Sequence, residues 1–214
     1  MKNTGKIGKA LWLKGALVLG VLGFVSCNQS RGGDEKDTKT LAEDYNKAKF
    51  ESSDKEKDAK FVAHVALINH TEIQLGRLAR KRAKMHDVKE LGKMMELDHS
   101  ASQSELKNLA VRKIITLPDS TAAEIKDAYA KLDEKKGIQF DSEYCNMMVK
   151  GHKDAIDLFE KESAETTDAD IKAFIMSTLP VLRSHLEHSM TCKTKCDKEM
   201  DAKGKNKIMN ERIK

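Results

Sequence analysis

The chain has little of what breaks a helix or builds a sheet. It contains two prolines, Pro118 and Pro180, and aromatic residues make up 5% of its 214 positions. No segment alternates apolar and polar residues as a half-buried strand does. Ala, Lys, Glu, Leu and Met dominate instead, which predicts an all-α fold. The apolar run from Ala16 to Val25 falls well short of the roughly 20 residues that span a bilayer. A Gly-rich phosphate loop, a Gly-x-Ser-x-Gly elbow and a nucleophile–base pairing are all missing, so no catalytic residue is assigned and the reading leans away from an enzyme. The acid pairs Asp154/Asp157 and Glu160/Glu162 read as a solvated helix face.

Charge of one sign is also missing once the N-terminus is set aside. Residues 1–26 hold Lys2, Lys6, Lys9 and Lys14 and no acid, and without them Lys+Arg and Asp+Glu nearly balance. The formal +5 therefore belongs to the first segment, and nucleic acid is not an expected partner. Those lysines, the apolar run and Phe24-Val25-Ser26-Cys27 resemble the signal and lipobox of a bacterial lipoprotein, with Phe24 where such boxes usually carry Leu. The resemblance implies a removed signal peptide (1–26), acylation of Cys27, attachment to a membrane through the lipid, and a place in the cell envelope, periplasm-facing or at the cell surface. An ordinary secretory signal with Cys27 free is the alternative. With Cys27 acylated, Cys145, Cys192 and Cys196 remain. A disulfide framework is not indicated, although an exported setting permits one bond.

Residues 27–53 are polar, include Gly32-Gly33, and read as a flexible tether with room for a short helix over Leu41–Phe50. A bundle domain follows over 54–196, then a charged tail over 197–214 that is expected to fray. The first long helix is predicted over Lys57–Met85. Asp87-Val88-Lys89-Glu90 has the form of a capping box opening a second, to about Arg112. After Leu117-Pro118, Thr121-Ala122-Ala123-Glu124 has the same form and opens a short crossover helix ending near Gly137. The third long helix runs from Phe140 or Asp141 to about Ser163. The fourth starts at Thr166-Thr167-Asp168 and should kink at Pro180.

One polar residue interrupts the apolar stripe of each long helix: Glu72, His99, His152 and His185. Glu72 is the sharpest, because Phe61, Val65, Ile68, Leu75 and Ala79 share its row and a buried carboxylate is costly unless paired or bound to metal. With a turn at His86, Glu72 lies 14 residues before it and His99 lies 13 after, which puts them at one height in an antiparallel hairpin. The second hairpin fits less well. From a turn near Thr166, His152 is 14 residues away and His185 is 19, an offset of roughly 7.5 Å that argues against a tight four-ligand cluster.

Glu96-Leu97-Asp98-His99 contains the Glu-x-x-His spacing of di-iron bundles, but Leu182 occupies the matching position before His185, so a dinuclear centre is not expected. A mononuclear transition-metal site, for copper, iron or zinc, is one reading; Met95 and Met148, four residues before His99 and His152, would tilt it toward copper. The other reading is a hydrogen-bonded polar network in which Glu72 pairs with His99 or Tyr144, the methionines being core filler. A secondary candidate is the stripe His188, Cys192 and Cys196 at i, i+4, i+8, one helix face able to hold a soft metal at the surface. Cys145 reads as a small core hydrophobe, and His64, His70 and His86 as surface or helix-end residues.

Dispersed segments in order carry a wider resemblance: Glu43-Asp44-Tyr45-Asn46, Thr71 to Ala79, Met94-Met95 through Asp98-His99, Leu117-Pro118, Gly137 to Asp141, Tyr144, Met148 to His152, and Leu179-Pro180 to His185-Leu186. Over about residues 42–191 the chain resembles the domain-of-unknown-function 4142 family. That resemblance implies a ferritin-like antiparallel four-helix bundle with a short crossover helix, export, and an inner site around Glu72, Asp98-His99, His152 and His185. Two functions follow as expectations: an anchored envelope module binding a transition metal, or a structural or stress-related envelope protein acting through helix surfaces. The sequence names no protein partner.

Overall fold

The computed structural model describes residues 36–212, and the chain there is all-α. Six helices follow in order: α1 (Thr38–Lys49), α2 (Ser53–Arg82), α3 (His86–Lys113), α4 (Ala123–Asp133), α5 (Ile138–Glu165) and α6 (Ala169–Arg212). The segment expected to be a signal peptide (1–26), Cys27 and Gly32-Gly33 lie outside the described residues. No helix among those described is long and apolar enough to cross a membrane.

The short helix expected within the tether is present as α1, but it is docked on the domain. Asn46 on α1 is buried, and its amide donates to the Thr116 carbonyl at 2.8 Å while its Oδ1 accepts from the Thr116 amide at 2.7 Å. Both backbone groups of Thr116 are thereby satisfied, which an isolated loop could not do for itself. The C-terminal tail likewise departs from expectation: α6 runs on to Arg212 without a break at Gly204. It also runs continuously through Pro180.

Helices α2 and α3 form an antiparallel hairpin at unusually close quarters. Contacts pair Asn69 with Gln103, Arg77 with Glu96, and Gly76 with Gly92. A Cβ on Gly76 would stand 2.6 Å from the Gly92 carbonyl oxygen, and one on Gly92 would stand 2.7 Å from the Gly76 oxygen. The two glycines let the backbones touch. Helices α5 and α6 pair in the same sense, as Glu160 meets Arg183 and Cys145 meets Cys196.

Neither capping box is used. Asp87 sits inside α3, whose N-cap Met85 makes no side-chain cap bond. The turn is held from across the molecule: the buried Asp141 carboxylate of α5 accepts from Lys84 N at 2.9 Å and Met85 N at 2.7 Å. At α4 the Ala123 amide donates to Asp37 and the Thr121 amide to Asp119. At α6 the expected start holds, with Asp168 Oδ1 accepting from the Asp170 and Ile171 amides.

The core has two large parts, beside a small cluster of Leu67, Ala122 and Ile125. One is aromatic and β-branched, built around Phe61, Val65, Phe159, Ile171, Phe174 and Ile175. The other contains Leu75, Leu91, Phe140 and Tyr144 together with Met95, Met148, Cys145, Cys192 and Cys196. The four polar residues singled out in the sequence lie between them in chain order on each long helix.

Candidate metal centre

Glu72, His99, His152 and His185 are all buried, with at most 4% of each surface exposed, and they converge. The imidazole centroids of the three histidines lie 5.2 to 5.7 Å apart. One ring nitrogen from each lies within 4.8 Å of one from each of the others. Glu72 Oε2 is 3.8 Å from His99 Nε2, and Glu72 Oε1 is 3.6 Å from His152 Nδ1. The offset expected between His152 and His185 is thus overturned. α5 ends at Glu165 and α6 begins at Ala169, so the turn centres later than Thr166. The remaining offset of about 4.5 Å along the axis is within reach of two imidazole side chains.

Each ring is held by its other nitrogen. His152 Nδ1 donates to the Met148 carbonyl at 2.9 Å, and His185 Nε2 donates to Asp98 Oδ2 at 2.9 Å. A carbonyl and a carboxylate only accept, so the protons on these rings are placed. His99 Nδ1 lies 2.9 Å from Asn69 Oδ1, while Asn69 Nδ2 donates to Gln103 Oε1 and Ser102 Oγ, both at 3.2 Å. Gln103 Nε2 in turn meets His70 Nε2 at 3.1 Å. With that polarity His99 carries its proton on Nδ1.

The consequence is that His99 Nε2, His152 Nε2 and His185 Nδ1 are bare lone pairs. All three atoms are buried without a hydrogen-bond partner, and so is Glu72 Oε2. Burial is the leading cause that pushes Glu72 above the usual carboxylate range, with His152 pulling the other way. Burial, then His152 and His185, holds His99 well below the ordinary histidine value. Burial also lowers His185, against the raising effect of its Asp98 bond. These are conditions under which an imidazole stays neutral and able to ligate. Tyr144 OH is buried and unpartnered too; burial first, then Glu72, raises its pKa well above the ordinary tyrosine value, so it is a protonated donor.

Two features shape access. Gly151 lies beside the carboxylate, where a Cβ would come within 3.2 Å of Glu72 Oε1. A cleft of about 190 Å³, whose lining includes Thr71, Gly151 and Asp154, reaches Glu72 from the surface.

The match of the chain to a family model covers residues 44–191, described as "Domain of unknown function (DUF4142)". The protein belongs to this family. No curated protein and no solved structure matches it. The four inner residues lie within the matched segment; Cys192 and Cys196 fall just beyond it.

Other sequence candidates separate. Glu96 does not join His99: it is turned toward Arg77 at 3.0 Å and Arg80 at 3.3 Å. The surface stripe does not form, because His188 is exposed while Cys192 and Cys196 are buried. Sequence reasoning missed Asn69 and Gln103 as orienting groups, although Asn69 stands three residues before Glu72 among apolar neighbours. It also missed Gly151, which looks like any helical glycine until the carboxylate beside it is seen.

Proposed function

We propose that this DUF4142 protein is a lipid-anchored, cell-envelope binding module whose domain is a ferritin-like four-helix bundle, and that it holds one transition-metal ion among Glu72, His99, His152 and His185. One observation carries the reading: three buried histidines on three helices bring a ring nitrogen each within 4.8 Å of one another beside the buried Glu72 carboxylate, and each of the four side chains keeps an acceptor atom without a hydrogen-bond partner. A water molecule offers two protons, and Tyr144 one more. A cation satisfies all four acceptors together and offsets the buried carboxylate.

The donor chemistry fits. Three imidazoles and a carboxylate suit copper, iron or zinc, and disfavour magnesium and calcium. Around an ion with bonds of about 2.0–2.1 Å, tetrahedral nitrogens sit about 3.4 Å apart. The observed triangle is at most 4.8 Å on a side, so small side-chain rotations close it. Asn69, Asp98 and the Met148 carbonyl act as the outer partners that orient ligating histidines and fix which nitrogen is free. The anchor rests on the Cys27 lipobox resemblance.

Against a purely structural reading stand the atoms left over once the orienting bonds are made: Glu72 Oε2, His99 Nε2, His152 Nε2 and His185 Nδ1 have no hydrogen-bond partner. Elemental analysis of the full chain, purified without chelator and supplemented with copper, iron and zinc, tests the proposal. About one ion per chain is expected, lost in the Glu72→Ala, His99→Ala variant. Metal-free wild type after supplementation contradicts it.

A further inference from the structure

The sulfur atoms of the core are all on one side. The part that contains Tyr144 and Phe140 holds Met95, Met148, Cys145, Cys192 and Cys196, with Met85 packed against it, whereas the part around Phe159 holds none. Within the first part sulfur atoms from three elements are in contact through Cys196. Cys145 Sγ of α5 lies 3.8 Å from Cys196 Sγ of α6, and Cys196 Sγ lies 3.6 Å from Met85 Sδ, in the turn between α2 and α3. Cys145 and Cys196 are fully buried. Cys192, one turn before Cys196, is buried as well; its thiol meets that of Cys145 and lies 3.5 Å from the Asp87 carbonyl.

We infer that Cys145, Cys196 and Met85 form a second metal site, selective for monovalent copper and separate from the histidine centre. Three sulfurs around a trigonal ion with bonds of about 2.3 Å stand about 4 Å apart, close to both observed spacings. Two thiolates and a thioether are a soft set, which selects Cu(I) over zinc, iron and the alkaline earths. On binding, the two cysteines each release a proton to solvent and no electron is transferred. The ion's single charge neutralises one thiolate, leaving a net of one negative charge at the site. The site is distinct in position as well: Cys145 lies seven residues before His152 on α5, about 10 Å along the helix axis. Cys145, Cys192 and Cys196 are all free thiols in the structure, the state in which they can ligate.

Anaerobic titration of the reduced, full-length chain with Cu(I) against a chromophoric competing chelator, followed by X-ray absorption at the copper edge, reads the site directly. The inference expects one equivalent bound with a sulfur-only shell in a His99→Gln variant, where the histidine centre is crippled. Cys145→Ser should weaken that binding by more than 100-fold, beyond the 10–100-fold typical of an outer-shell change. Met85→Leu, which keeps the shape of the side chain, should weaken it about tenfold without moving the melting temperature. Reduced protein that takes up no Cu(I), a nitrogen or oxygen shell, or unchanged affinity in Cys145→Ser would overturn the inference. Those results leave the histidine centre untouched, because its own test counts metal lost with Glu72 and His99.

Discussion

Replacing Glu72 by Gln should make the metal-free protein more stable while abolishing its response to metal. In the metal-free chain the carboxylate is buried and its Oε2 has no hydrogen-bond partner, standing 3.8 Å from the bare His99 Nε2. Keeping it ionised is unfavourable, and protonating it sets the ceiling on that cost. For a carboxyl of ordinary pKa 4.5, protonation at pH 7 costs about 3.4 kcal/mol. A glutamine amide removes the charge and can donate to the His99 lone pair, so a gain of about 1–3 kcal/mol is expected at pH 7. For a domain of this size that is a rise of roughly 3–10 °C in Tm. The pH dependence has a definite sign. The folded-state pKa of Glu72 is raised, so wild-type stability falls as pH climbs from about 4.5 through that raised value, and the variant lacks this fall. The advantage of Glu72→Gln should therefore shrink toward pH 5 and grow toward neutrality. Effects of His99 and His185, whose lowered pKa values favour the folded state above about pH 6.5, largely cancel in the difference. Thermal melts of both proteins in chelator, from pH 5 to 8, measure it. A variant less stable than wild type at pH 7, or a difference that ignores pH, would refute the reasoning.

Three further outcomes follow. Gly76→Ala should destabilise by about 2 kcal/mol despite the better helix propensity of alanine, because its Cβ meets the Gly92 oxygen at 2.6 Å; chemical denaturation measures this, and a stabilised variant would contradict the close backbone contact. Asp98→Asn, read by metal titration, should lower metal affinity 10–100-fold with a small change in metal-free stability, since Asp98 is largely exposed while the His185 it orients is buried. Glu162 is raised to about 7, first by burial and then by the neighbouring Asp58, so it should lower wild-type stability as pH rises between about 5 and 7; Glu162→Gln should flatten that part of a Tm-against-pH curve.

The four inner residues were legible because each breaks an apolar row that the helical period lays out, and because a buried acid is hard to explain without a partner. Their neighbours were not. Asp98 entered the inner site only through the family resemblance, because its own position looks like that of any surface acid until His185 meets it across the molecule, and the Asp141 cap on the α2–α3 turn joins residues 56 positions apart. Local motifs misled for the same reason: Asp87 and Glu90 match a capping box, yet the turn amides already had a better acceptor on α5. The offset assigned to His152 and His185 rested on a turn placed too early in the chain. Cys145 was read as core filler and Cys196 as part of a surface stripe with His188 and Cys192, and only the packing of α5 on α6 shows the two as a pair.

Counting the nitrogen ligands of the metal-loaded protein tests the central idea most directly. X-ray absorption on the chain loaded with one equivalent of zinc should show three imidazoles and one oxygen donor, falling to two imidazoles in His152→Gln. A loaded ion with one imidazole or none, or a shell unchanged by His152→Gln, would mean that the inward-facing lone pairs are not what holds it.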